Sequence, residues 1–209
     1  MLVTGTYRRE RAVEYARRWA FARNPLFSDY TGIGGDCTNF VSQCLYAGGC
    51  QMNFTPVFGW YYISPEDRTA SFSGVEYFYN FMVGNEGIGP FAEERDADSL
   101  VPGDAILLGR EGEGYYHALL VVGRAEDGDI LIAAHTDDAL DRRLSSYTFD
   151  FARYLHILGV RYNVGGVGDC YQPMLEGREL LLRGAGEYLP DAPEAPVTPS
   201  TPSTPDTAG

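Results

Sequence analysis

An α+β fold is predicted by three observations. Two helical apolar stripes lie in the first quarter of the chain, the patterning turns strand-like after Val101, and short polar connections join the first strands. The 209 residues, 44% of them apolar, suffice for one core. Fifteen tyrosines and eleven phenylalanines suit a strand-rich fold or an aromatic groove.

In chain order, a first helix is expected from about Arg9 to Ala22, with Ala12, Val13, Ala16, Trp19 and Ala20 on one face. Asn24-Pro25 closes it. A loop through Tyr30 and Gly32 leads to a second helix that opens at Cys37. Its stripe is Cys37, Phe40, Val41, Cys44 and Leu45, with Asp36 as N-cap and Gly48-Gly49 as stop. The stretch from Gln51 to Ser73 reads as irregular and aromatic, and Val75 to Val83 as a third helix. After the turn at Val101-Pro102-Gly103-Asp104, strands are expected at Ala105–Leu108, Tyr115–Val122, Ile130–Ala134 and Tyr154–Val160. The first three form an antiparallel meander. From Pro190 the chain is Pro, Thr, Ser, Ala and acid, which reads as a disordered tail (190–209) after a single domain (1–189).

The net charge of −13, with no basic run, excludes a typical nucleic-acid binder and disfavours anionic membrane surfaces. The first ten residues carry no apolar signal core, and no stretch is long enough to span a bilayer. The default expectation is therefore a soluble cytoplasmic protein, or an extracellular one if a leader has been trimmed. Cys37 and Cys44 lie about 10 Å apart along one helix, too far to bridge. Whether Cys50 and Cys170 pair is left open. No His/Cys spacing points to a metal, no cofactor is called for, and nothing in the pattern sets an oligomeric state.

The chemistry centres on Cys37. A thiol in the first turn of a helix lies beside unpaired N–H groups and the positive end of the helix dipole. That field favours the thiolate, and the same N–H groups suit a tetrahedral oxyanion. A cysteine nucleophile needs a base and a group that orients the base. His117 lies near the start of the second strand of the meander and His135 at the end of the third. A hairpin symmetric about Glu126 sets the two directly opposite. A slip of one residue brings Thr136 to that position, and a slip of two brings Asp137, the alternative third member. His156 reads as structural. Further contacts to the oxyanion or groove are expected from Asp36, Thr38, Asn24, Trp60 and Tyr61.

Gly34-Gly35-Asp36-Cys37-Thr38-Asn39-Phe40-Val41-Ser42-Gln43, preceded by Tyr15-Ala16-Arg17-Arg18-Trp19-Ala20 and Asn24-Pro25, resembles the putative amidase domain family. That family belongs with the NlpC/P60 and CHAP-like papain-fold cysteine hydrolases. The likeness continues through Gly59-Trp60-Tyr61-Tyr62, Pro102-Gly103-Asp104, His117, Ala134-His135-Thr136 and Leu155-His156-Ile157, from Tyr7 to about Arg161. It implies a papain-like fold with the nucleophile helix packed on an antiparallel sheet. It also implies amide-bond hydrolysis with Cys37 as nucleophile, His117 as base and His135 as the orienting residue. The implied substrate is a peptide or other amide, cell-wall peptide included. An acyltransferase would use the same residues. The rival class is a non-catalytic peptide- or cell-wall-binding module on the same fold.

Overall fold

The computed structural model describes residues 1–164 and 168–178. The expected boundary at 189/190 and the tail beyond it lie outside the described residues. The helices are α1 (Arg9–Trp19), α2 (Cys37–Gly49), α3 (Ala70–Ser73), α4 (Val75–Gly84) and α5 (Tyr171–Glu176). The strands are β1 (Leu2–Gly5), β2 (Gly89–Glu94), β3 (Ala105–Arg110), β4 (Gly114–Arg124), β5 (Ile130–Ala134), β6 (Ala139–Arg143) and β7 (Phe151–Asn163). The result is a mixed α+β structure on one antiparallel sheet in the order β1-β7-β3-β4-β5-β6, with β2 also paired to β7.

The meander β3-β4-β5 is as the sequence predicts, and β6 extends it. The last predicted strand is longer than Tyr154–Val160 because β7 is a tie between two groups of strands. Its first half pairs with β3, and its second half with β1 and β2.

Both faces of the sheet centre are covered, which accounts for the unbroken apolar runs Ala105–Leu108 and Ala118–Val122. Ala105, Leu107, Ala118, Leu120, Val122 and Ala133 pack toward the helices. Ile106, Leu108, Leu119, Val121, Ile132 and Ala134 turn the other way, onto Leu100 and Leu144.

The central helix, α2, is buried from Cys37 through Gly48, more than an amphipathic stripe requires. Its polar residues are therefore matched one by one. Ser42 Oγ accepts from Trp60 Nε1 at 3.1 Å, and Gln43 Oε1 accepts from Tyr15 Oη at 2.7 Å. Asn39 Nδ2 donates to the Ser28 carbonyl at 3.0 Å. The helix ends at Gly49, as the sequence predicts, but neither glycine takes the left-handed cap conformation. A Cβ on Gly48 would come within 2.3 Å of the Tyr7 ring, and one on Gly49 within 2.7 Å of Val160. The glycines allow close packing, and the left-handed cap is Cys50, at φ 49°.

Cys50 is joined by a disulfide to Cys170, 120 residues later, while Cys37 and Cys44 are free and buried. The bond fixes the segment carrying α5 to the end of α2. A cross-link closing so long a loop removes much denatured-state entropy. Cys170→Ser is expected to lower unfolding free energy by about 2–5 kcal/mol, read from urea denaturation of the oxidised protein.

Candidate active site

Cys37 opens α2 and Asp36 holds the N-cap position (φ −103°, ψ 1°), both as predicted, but the Asp36 side chain makes no capping bond. Its carboxylate, 1% exposed, accepts from the Tyr30 N–H at 3.2 Å and from Asn39 Nδ2 at 2.8 Å. It also faces His135 Nδ1 at 2.7 Å and Arg23 Nε at 3.4 Å. The side chain is thus drawn to four groups on four segments, and the first-turn N–H groups are left to the thiol.

The Cys37 thiol is only 6% exposed. Burial pushes it above its ordinary value. The Ala118 N–H, the Thr38 hydroxyl and the N–H groups of Thr38 and Cys37 itself oppose that only in part. The thiolate expected from the helix dipole is therefore not the resting form, because desolvation outweighs the partial charges. Thr38 Oγ1 lies 3.9 Å from Sγ. Ala118 brings β4 to the thiol, so the sulfur sits one residue along the strand from His117.

The β4–β5 register differs from the symmetric hairpin by one residue. Leu120 opposes Ala133 and Val121 opposes Ile132, with a bulge between Val121 and Gly123. β5 ends at Ala134, and Thr136 and Asp137 take left-handed conformations, with φ 60° and 81°. A shift of one sends the two histidines to different faces. His117 is in register with Leu108, on the face away from α2. His135 turns toward α2 and stacks on Phe40 at 3.9 Å between ring centroids. Its Nε2 donates to the Trp19 carbonyl at 2.9 Å while Nδ1 faces Asp36. With both ring nitrogens engaged, His135 does not stand beside His117 as the sequence expectation had it.

Burial pushes His117 down to about 4, with the Asp137 charge opposing and Arg142 reinforcing the shift. It is thus a neutral imidazole at pH 7, able to accept a proton. Among the described residues, no hydrogen bond joins it to Cys37 or to His135. Asp137, the alternative third member, is the acidic group whose charge it feels.

The expected groove contacts divide. Asn24 Nδ2 donates to Tyr15 Oη at 2.9 Å and to the Met174 carbonyl at 2.8 Å, and Oδ1 accepts from the Leu26 N–H. Its amide locks α1 to α5 and is not offered to an oxyanion. Trp60 is fully buried core. Tyr61 is half-buried, with its hydroxyl donating to Asp67 at 3.1 Å. The Trp19 carbonyl, the Ala118 N–H and Arg23, which ties Asp36 to Asp29 and Asp138, had no sequence signal. Among the described residues no cluster of His, Cys, Asp and Glu is arranged to hold a metal, and no helix is long and apolar enough to cross a membrane.

Two outcomes follow from these geometries. As pH falls from 6.5, unfolded chains protonate at His117, whereas the folded protein does so only near 4. Stability should therefore be full above about pH 6.5 and decline by an amount of order 3 kcal/mol on the way to pH 4. His117→Gln should flatten that part of a pH series of urea titrations. Asp36→Ala leaves His135 Nδ1 without its acceptor and Asn39 Nδ2 with only the Ser28 carbonyl, and a loss of about 3–5 kcal/mol is expected in the same assay.

No solved structure matches the chain. A curated relative, "Uncharacterized protein YhbB" of Bacillus subtilis (strain 168), is 32% identical over 139 residues, covering 64% of this chain and 42% of that protein. The chain therefore spans less than half of that relative. Residues 6–158, which run from just before α1 to near the end of β7, match the family described as "Putative amidase domain". That family points to hydrolysis of amides, and with Cys37, His117 and His135 all inside the matched segment, this chain belongs to the putative amidase domain family.

Proposed function

We propose that the protein is a cysteine-dependent amide hydrolase of the papain-like, NlpC/P60 type, acting on a peptide or other amide, with cell-wall peptide within that class. The observation that carries this reading is the convergence of the Ala118, Thr38 and Cys37 N–H groups on a thiol at the uncapped start of a buried helix. A helix packed through its first turn on an antiparallel sheet, with a histidine one residue from the contact, agrees with that fold type.

As Cys37 Sγ attacks the amide carbonyl carbon, its proton passes to the neutral His117 imidazole. Carbonyl electrons move to oxygen, and the first-turn N–H groups of α2 take that charge. Collapse breaks the C–N bond, the amine leaves with the proton from His117, and a thioester remains. Water then attacks, giving its proton to His117, and the acid is released as the thiol is regenerated. Because the register turns His117 to the face of β4 away from α2, this transfer requires the ring and the sulfur, which sits against the Ala118 N–H, to come into reach around the strand when substrate binds. His135 acts as a positioning residue, since its hold on Asp36 sets the backbone that precedes the nucleophile. Asp137 offsets the charge of the transient imidazolium.

The Cys50–Cys170 disulfide supports a working place outside a reducing cytosol, against the cytoplasmic default.

The test is amine release from a panel of peptide amides and anilides, together with intact mass after limiting iodoacetamide. Cys37→Ser should abolish release while unfolding at the same urea concentration as the parent. His117→Ala should lose about 10²–10⁴-fold. Activity of the serine variant within a few-fold of the parent would overturn the reading, as would equal labelling of Cys37 and the buried Cys44.

A further inference from the structure

His117 is an unusual candidate base, because no side chain in the described residues holds either ring nitrogen. Something else must fix its orientation if it is to meet a proton along one direction. Two tyrosine rings pack on it instead. The Tyr116 centroid lies 6.0 Å away with planes 11° apart, and the Tyr147 centroid lies 5.8 Å away at 37°. Both separations fall in the range where aromatic rings attract.

Each tyrosine is itself held. The Arg110 guanidinium sits 4.4 Å from the Tyr116 ring centre, and Arg142 sits 4.2 Å from that of Tyr147. Tyr116 Oη donates to the Thr148 carbonyl at 3.0 Å, and Arg142 Nε donates to Ser146 Oγ at 3.1 Å. The arrangement depends on a backbone irregularity. Side chains of adjacent strand residues normally point to opposite faces, yet Tyr116 and His117 are nearly coplanar in orientation. The β3–β4 pairing breaks register between Leu108 and Gly109, so Tyr116 is the extra residue of a bulge beside His117. Bulges re-aim side chains in this way.

We propose that Tyr116 and Tyr147, capped by Arg110 and Arg142, are positioning residues for His117, holding by ring packing the orientation that a hydrogen-bonded partner would otherwise impose. This inference rests on the proposed role of His117 as base. The stack also has an electrostatic consequence. Tyrosine faces attract a developing imidazolium, while the Arg142 guanidinium repels it and Asp137 acts with the opposite sign. The base is thereby kept neutral at rest and is not trapped once protonated.

The decisive measurement is an NMR titration of the His117 ring in the full chain, assigned with His117→Gln, beside the pH profile of Cys37 alkylation. Tyr147→Phe, which keeps the ring, should leave both curves within about two-fold of the parent. Tyr147→Leu should admit water, raise the His117 midpoint by about one pH unit, and slow alkylation about ten-fold. Arg142→Gln tests the same stack from its exposed end, without opening the core, and should move the midpoint upward by a few tenths of a unit. Unmoved midpoints in Tyr147→Leu and Arg142→Gln overturn the positioning role, whatever Cys37 does. Shifted midpoints with alkylation that no longer tracks His117 support the stack and overturn His117 as the base for Cys37.

Discussion

A carboxylate almost sealed from water, on the residue before the thiol, organises one end of the molecule. Removing Asp36 from solvent is costly, and the cost is offset only if every acceptor position is used. The groups that use them come from far apart in sequence. Tyr30 belongs to the approach loop, Asn39 to α2, His135 to the end of β5, and Arg23 to the segment after α1. His135 passes the constraint on to α1 through the Trp19 carbonyl. The start of α2 is thereby fixed in position and direction, and with it the sulfur. Asp36 serves the site by geometry, and its charge is spent on neighbours other than the thiol.

The same device recurs at the far end of the first helix. Asp104, fully buried at the start of β3, pairs with Arg9 and accepts from the Val101 N–H, the Ile157 N–H and His156 Nδ1. One acidic hub holds the last turn of α1 to the sheet, and the other holds its first turn. Helix and sheet are registered by buried polar anchors as well as by apolar packing, which is non-directional and tolerates sliding. A site assembled from a helix terminus and a strand needs the directional contacts.

Much of the fold was legible because it follows from periodicity. The stripe from Cys37 to Leu45 and the apolar runs at Ala105, Leu119 and Ile130 have the spacing of the elements they form. What escaped was local or relational. β6 buries little beyond Ala139, so it lacks alternation. The residue skipped at the β4–β5 bulge reversed the facing of His135 relative to His117, and residue counting across a hairpin cannot see a bulge. An aspartate before a helix reads as a cap, and only the tertiary fold shows that its carboxylate turns to His135. Trp60 and Asn24 have residue types suited to a groove, but their polar atoms are consumed inside the core.

The distance along the chain between Cys50 and Cys170 has a consequence for how the protein is made. The partner of Cys50 is synthesised only after nearly all the described elements, so α2 and the sheet leave the ribosome before the bond is possible. Through that interval Cys50 shares the nascent chain with two other thiols. In the folded structure Cys44 is fully enclosed within α2 and Cys37 is sheltered against Ala118, so the two thiols that could compete for Cys50 are both covered once the fold is complete.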